Sequence, residues 1–164
     1  MVQMSNKFLN NLSNEGKLEV VEPSDNICES YLGKADNCFK SAKILMVNRL
    51  FENSVSMSYY SMYDSLLALL FKTGIKCENH SASILLLKIV FEKLDLFEII
   101  SKAKEERIDK QYYVTDEKEE LTKEISEEMV KNAESFLLNM KLFIKNQNSE
   151  NIEKIQNKLK ELIL

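Results

Sequence analysis

The segment ERIDKQYY, residues 106–113, places a cation and two phenols close to the predicted end of a helix. An arginine can hold a phosphate with two parallel N–H donors. A base placed after it could deprotonate a ribose hydroxyl, but the residue five places after Arg107 is Tyr112. A tyrosine with an ordinary pKa of about 10 stays protonated at pH 7, which makes it a poor general base. The pair therefore predicts contact with a phosphate or a stacked base rather than cleavage.

Helical geometry restricts how Arg107 and Tyr112 can meet. Residues five apart on a straight α-helix are turned about 140° from each other. The two side chains converge only if the helix ends between them, and the segment YYVT provides a possible break. Arg107 also belongs to a run of alternating charges, KAKEERIDK, where it could pair with a carboxylate one turn away on a solvated face. Both interpretations stay open.

His80 is the only histidine of the chain, so it is the only side chain whose unperturbed pKa lies close to neutrality. It stands in the polar link KCENHS, before a predicted helix. We expect it to cap or pack at the start of that helix, whose N-terminus would disfavour the charged imidazole. The alternative is that His80 reaches the region of Arg107 and supplies the missing base.

Three tyrosines and one acid mark the preceding helix. Tyr59 and Tyr63 share a side, Tyr60 is turned about 100° from Tyr59, and at least one of the three should be buried. Asp64 interrupts an apolar run and is expected to be solvated or hydrogen-bonded. No second acid lies at ligand spacing on this helix, so we predict neither a metal nor a cofactor.

The composition sets the class of protein. A chain of 164 residues that is 45% hydrophobic forms one domain, and its three glycines and one proline argue against a sandwich of short strands. A formal net charge of −4 means that any contact with nucleic acid must use a local basic cleft. Three cysteines without CxxC spacing, no apolar run of 18 residues and no signal-peptide centre predict a protein of the reducing cytoplasm.

Apolar residues recur at spacings of three and four along most of the chain, which predicts an all-α, up-and-down bundle of four to five main helices. We expect an N-terminal arm over 1–24, extended before Pro23, the bundle over 25–145, and a C-terminal helical extension over 146–164. The extension could cover the edge of the bundle or bind a partner. Gly74 is a predicted helix stop, and the pattern leaves open whether the helices before and after residue 93 are continuous.

The stretch FENSVSMSYYSMYDSLLALLFKTGIKCENHSASI resembles the signature of the HEPN domain, a small helical module named for nucleotide binding in higher eukaryotes and prokaryotes. The matching features are a tyrosine pair followed by a small residue, methionine and an aromatic, then an aliphatic stretch, Gly-Ile and a histidine that opens the next helix. In this chain they are Tyr59, Tyr60, Ser61, Met62, Tyr63, residues 66–71, Gly74, Ile75 and His80. The resemblance covers about residues 14–145.

The resemblance has implications for the site. Many HEPN proteins carry an arginine followed after four to six residues by a histidine, and those that cut RNA use this pair without a metal. The branch resembled here often shows Arg-x-x-Ala-Asp-Tyr, of which Arg107 and Tyr112 fill the first and last places while Lys110 and Gln111 replace Ala-Asp. The motif histidine is absent. HEPN proteins commonly dimerise through the helices that bear the motif, which implies a homodimer with both arginines in one cleft.

Three functional hypotheses follow. The first is a protein that binds RNA or a nucleotide with weak or no nuclease activity, paired with a small nucleotidyltransferase as in prokaryotic toxin–antitoxin systems. The second is a metal-independent endoribonuclease toxin that uses Arg107 with Tyr112 or His80. The third is a non-catalytic interaction bundle in which the motif is vestigial.

Overall fold

The computed structural model describes residues 2–111 and 119–163, and over these residues it is an all-α bundle with one two-stranded sheet. The all-α prediction is confirmed. Within the same ranges no helix is both long and apolar enough to cross a bilayer. The elements follow in the order α1 Val2–Asn14, β1 Leu18–Val20, α2 Asp25–Val47, α3 Phe51–Lys72, β2 Ile75–Cys77, α4 His80–Ile89, α5 Leu94–Gln111, α6 Glu119–Lys145 and α7 Ser149–Leu162.

Helices α2 and α3 form an antiparallel hairpin. Lys72 near the end of α3 pairs with Asp25 at the start of α2, with 2.6 Å between Nζ and Oδ1. At the opposite end, the Ser54 hydroxyl donates to the backbone oxygen of Ala42 over 2.8 Å. The chain reverses between the helices at Arg49, whose φ is +63°. Ser24 caps α2, because its hydroxyl accepts the backbone N–H of Ile27 in the first turn.

Helix α3 is the centre of the bundle and packs against α2, α5 and α6. Most of its residues are buried, which follows from the apolar second half and from small serines that let neighbouring helices approach. The buried residues are Phe51, Ser54, Val55, Ser58, Tyr59, Ser61, Met62, Tyr63, Asp64, Ser65, Leu66, Ala68, Leu69 and Leu70.

Helices α4 and α5 are separate, which answers a question that the apolar pattern left open. Helix α4 ends at Ile89 and α5 begins at Leu94. Between them Glu92 adopts a positive φ of +56°, and the backbone N–H of Lys93 returns to the carbonyl of Leu87 over 2.7 Å. The resulting change of direction returns α5 toward the start of α4 and toward α3.

The segment before Pro23 is extended, as the sequence predicts. Residues 18–20 pair antiparallel with 75–77, in the register Leu18 to Cys77 and Val20 to Ile75. Upstream, residues 2–14 form helix α1 within the predicted arm, and the few apolar residues of this helix give too short a pattern to predict it from the sequence. Its Leu9 is nevertheless fully buried in the common core.

Helix α7 covers the edge of the bundle. Leu159 is fully buried in the core. The amide nitrogen of Gln156 donates to the backbone oxygens of Thr73 and Val21, over 3.1 and 3.4 Å. Of the two roles left open for the C-terminal extension, the structure shows the covering role.

Candidate functional site

Arg107 lies on α5 and faces the tyrosines of α3. Its guanidinium carbon is 5.0 Å from the ring centre of Tyr59 and 5.2 Å from that of Tyr60. Its Nη1 donates a hydrogen bond of 2.6 Å to the Tyr60 hydroxyl. The Nε–H is buried with no acceptor among the described residues. Two cation–π contacts and one short hydrogen bond therefore fix the direction of a half-buried cation.

The tyrosines are held by their positions on the central helix. Tyr59 is fully buried and Tyr63 nearly so, while Tyr60 is half-buried, as expected from its different direction on the helix. The rings of Tyr59 and Tyr63 are stacked one turn apart, with centres 6.0 Å apart and planes 13° from parallel. Burial raises the pKa of Tyr59 to about 12, so its phenol stays protonated at neutral pH. These tyrosines can donate hydrogen bonds and stack, but they are poor bases.

His80 is the first residue of α4 and packs on the same tyrosines. Its imidazole stacks on Tyr63 with ring centres 3.9 Å apart and planes at 17°. Its Nδ1 is 3.3 Å from the Tyr59 hydroxyl, and either group is the donor depending on the imidazole tautomer. The helix cap itself is Asn79, whose side-chain oxygen accepts the backbone N–H of Ala82 over 2.9 Å. Of the expected roles, the one observed for His80 is therefore packing.

The surroundings of His80 favour the neutral imidazole. Partial burial lowers its pKa below the ordinary value, and the positive charges of Arg107 and Lys104 lower it further. The carboxylate of Asp64 acts in the opposite direction but does not outweigh them. At pH 7 the imidazole of His80 is therefore uncharged and can accept a proton.

A second cation stands beside the tyrosines. Lys104 lies one turn before Arg107 on α5, and its ammonium donates to the hydroxyl of Ser81 over 2.7 Å. Lys104 and Arg107 are three residues apart and share a face of the helix. A protein with a net charge of −4 thus has a local concentration of positive charge at the junction of α3, α4 and α5.

The structure brings two of the three predicted site residues together. Arg107 and His80 both contact Tyr59, one through its ring and the other through its hydroxyl. Helix α5 continues to Gln111, and Tyr112 lies outside the described residues. The hydrogen bond from Arg107 to the Tyr60 hydroxyl is a contact that no pattern in the sequence predicts. We call Tyr59, Tyr60, Tyr63, His80 and Arg107 the tyrosine cluster.

The buried acid of α3 has partners of its own. Asp64 is almost fully buried and accepts hydrogen bonds from the ammonium of Lys34 and the thiol of Cys38, over 3.2 and 3.7 Å. The expectation of a hydrogen-bonded aspartate is confirmed, and these contacts join α3 to α2. Within the described ranges, no three His, Cys, Asp or Glu side chains come together to hold a metal ion.

A groove separates α5 from α6 next to the arginine. It has a volume of about 270 Å³. Ile99, Ala103, Ile125 and Met129 form its apolar floor, and glutamates with Lys102 form its rim. Helix α5, which carries Arg107, and the next helix, α6, thus leave apolar surface between them.

Comparison with known proteins identifies the family. The family model described as the HEPN domain matches residues 28–147, which is more than half of the chain and includes the tyrosine cluster. No match was found among curated proteins. The matched range extends from α2 through α6, and α1, β1 and all of α7 lie outside it. The chain therefore belongs to the HEPN family.

Proposed function

We propose that this HEPN protein binds RNA or a nucleotide at the tyrosine cluster and has weak or no nuclease activity. The observation that supports this most directly is the fixed guanidinium of Arg107, held by Tyr60 and two aromatic rings beside Lys104. A cation that is already oriented loses little side-chain entropy when it meets a phosphate. Its location on an otherwise acidic protein concentrates anion binding at one place.

Weak cleavage follows from the groups around that cation. The residue at the place of the motif histidine is Tyr112, and a tyrosine is a poorer base than a histidine near neutral pH. Tyr59, which contacts the guanidinium, has a pKa of about 12 and stays protonated. Binding without efficient removal of the ribose proton is the chemistry that these groups support.

The test is the affinity for a fluorescein-labelled single-stranded RNA, measured by fluorescence anisotropy. We expect Arg107→Ala to weaken binding about tenfold or more, as loss of a charge-assisted contact implies. The control is Lys154→Ala, which removes an exposed cation of α7 that is already paired with Glu150. Equal affinities of the wild type and Arg107→Ala would overturn the proposal.

One observation favours a second candidate, a metal-independent endoribonuclease. His80 is neutral at pH 7 and shares Tyr59 with Arg107, so it is a possible stand-in for the missing base. In that reaction the ribose 2′-hydroxyl loses its proton to His80 and attacks the adjacent phosphorus. The 5′-oxygen then leaves with a proton, and a 2′,3′-cyclic phosphate remains. We expect the wild-type protein to form cyclic-phosphate products in the presence of EDTA, and we expect both Arg107→Ala and His80→Ala to abolish them. Intact RNA over a broad pH range excludes this candidate.

The assembly proposed for this site is a homodimer. HEPN domains often form dimers, and the apolar floor of the groove between α5 and α6 offers surface for a second copy. Light scattering after gel filtration tests this. Ile99→Asp in the groove should yield monomers, while Ile44→Asp, at an exposed position of α2, should leave the mass unchanged. A monomeric wild type rejects the dimer.

We further propose a cytoplasmic toxin–antitoxin-like pair with a small nucleotidyltransferase, which the family resemblance suggests. The three cysteines, which are free thiols, suit a reducing compartment. If a nucleotidyltransferase is encoded next to this protein, the two should co-purify, and its co-expression should relieve any growth arrest. Arg107→Ala should abolish the arrest. Absence of both co-purification and growth arrest favours the plain interaction bundle instead.

A further inference from the structure

The exposed His80 lies on two tyrosines of the central helix. Its ring is 17° from parallel to that of Tyr63, with centres 3.9 Å apart, and its Nδ1 is 3.3 Å from the hydroxyl of the fully buried Tyr59. A planar ring that is stacked on one side and exposed offers a surface on which another planar ring can stack.

The imidazole of His80 keeps surface beyond these two contacts. Tyr63 covers one of its faces, and its Nδ1 edge is turned toward the Tyr59 hydroxyl. The residue is nevertheless exposed, so a ligand can reach it. The two contacts also limit rotation of the ring, so a stacking partner meets an ordered surface.

Two positive charges act on His80. Arg107 contacts Tyr59, and Lys104 contacts Ser81, the residue after His80. The charged groups that act on His80 are these two cations and the carboxylate of Asp64. Because burial and both cations lower the pKa of His80, the imidazole provides an uncharged ring at pH 7 and the cations provide the charge.

We propose that His80 is a stacking platform for a nucleobase, and that Arg107 and Lys104 hold the phosphate attached to the same nucleotide unit. This inference rests on the proposed function and specifies its ligand. The shared chemistry is a planar base joined to a phosphate, which occurs in single-stranded RNA and in a free nucleotide. A double helix is excluded as the ligand because its bases are already stacked and paired.

The experiment compares substitutions that separate the ring of His80 from its nitrogens. The probe is a fluorescein-labelled single-stranded RNA, with unlabelled adenosine monophosphate as competitor. We expect His80→Ala to weaken RNA binding roughly tenfold, the scale of one lost base stack. His80→Phe should retain most of the affinity because it keeps a planar ring, whereas His80→Gln should behave like alanine.

An abasic oligonucleotide with the same backbone separates stacking from phosphate contact. Its affinity should be insensitive to His80→Ala but should fall in Arg107→Ala. A second readout uses the absence of tryptophan from the chain. In His80→Trp the new indole is the only one, and its fluorescence should be quenched by RNA and unaffected by inorganic phosphate. If adenosine monophosphate displaces the labelled RNA, a free nucleotide is enough to occupy the site. If it does not displace the RNA, the flanking nucleotides of the RNA are required for binding.

The outcomes are distinguishable. If Arg107→Ala weakens binding and His80→Ala does not, the stacking platform is wrong and the proposed function stands. If His80→Phe binds as poorly as His80→Ala, the imidazole nitrogens rather than the ring are used, and the platform is again wrong. If neither Arg107→Ala nor His80→Ala changes RNA binding, the proposed function fails. Should His80→Ala fail to fold, the phenylalanine and tryptophan variants give the same decision.

Discussion

The Nη1 nitrogen of Arg107 lies 2.6 Å from the hydroxyl oxygen of Tyr60, and this hydrogen bond joins the end of α5 to the middle of α3. Arg107 is thus oriented by a side chain 47 positions earlier in the chain. Its guanidinium lies over the rings of Tyr59 and Tyr60 rather than in an ion pair on a solvated helix face. The properties of the proposed site depend on that placement.

Removal of the Tyr60 hydroxyl should release the arginine without removing the ring. Tyr60→Phe deletes the acceptor and keeps the aromatic surface under the guanidinium. We expect RNA affinity to fall several-fold and the free energy of unfolding to fall by about 1 kcal/mol, because one half-buried, charge-assisted hydrogen bond is lost. Tyr31→Phe is the control, since Tyr31 of α2 packs on Phe71 and deletion of its hydroxyl leaves the contacts of Arg107 in place. Equal effects of the two substitutions on RNA binding would contradict the interpretation.

The three glycines should respond to alanine in three different ways. Gly74 has a φ of +71°, and an added Cβ would lie 2.4 Å from the backbone oxygen of Val21 and 2.3 Å from the Gln156 side chain. Gly74→Ala should therefore lower the free energy of unfolding by more than about 2 kcal/mol. Gly16 has a φ of +70° but open space around it, so its alanine variant should cost about 1 kcal/mol.

Gly33 provides the control of opposite sign. It lies within α2, and nothing stands within 4 Å of an added Cβ. Gly33→Ala should raise the free energy of unfolding by about 0.5–1 kcal/mol through helix propensity. Urea denaturation of the three variants gives the order of their free energies of unfolding. If Gly74→Ala is as stable as the wild type, Gln156 of α7 is not packed against Gly74 and Val21 as described.

Protonation of His80 should destabilise the fold. Partial burial and the charges of Arg107 and Lys104 lower the folded-state pKa of His80 below the unfolded value of about 6.5. The unfolded chain therefore binds more protons in the window just below pH 6.5, and the free energy of unfolding falls as pH falls through it. Below the folded-state pKa the loss is complete.

Two measurements check this prediction. Since the chain has one histidine, its imidazole gives a single set of NMR resonances, and their titration midpoint should lie below 6.5. In His80→Phe the difference in stability between neutral and mildly acidic solution should be smaller than in the wild type. A titration midpoint above 6.5 would mean that a negative group dominates the surroundings of the ring.

The C-terminal helix should be part of the cooperative fold. Leu159 of α7 is fully buried, so Leu159→Ala should lower the free energy of unfolding by roughly 2–4 kcal/mol. Leu138→Ala on α6 is the matched control, because that side chain is 60% exposed and should change stability by less than about 0.5 kcal/mol. Similar urea midpoints for the two variants would show that α7 detaches before the bundle unfolds.

Local patterns in the sequence were sufficient for the fold class and for most helices. The periodic apolar residues after Ser24, the apolar second half of α3 and the stop at Gly74 each act within a few turns of backbone. They therefore predict helices without knowledge of the tertiary arrangement. Helix α1 was not predicted because its apolar pattern is short. The break at Glu92 was not predicted because no glycine or proline marks it in the sequence.

The sequence by itself also singled out Arg107 and His80, since the family resemblance implies a motif that begins at the first and the second is the only histidine. Their shared contact with Tyr59 was decided by the tertiary structure alone. The reason is physical: the three residues lie on three helices, and side-chain spacing on one helix carries no information about the directions in which other helices pack. Packing of α4 and α5 on α3 turns a tyrosine pair, a histidine and an arginine into one cluster.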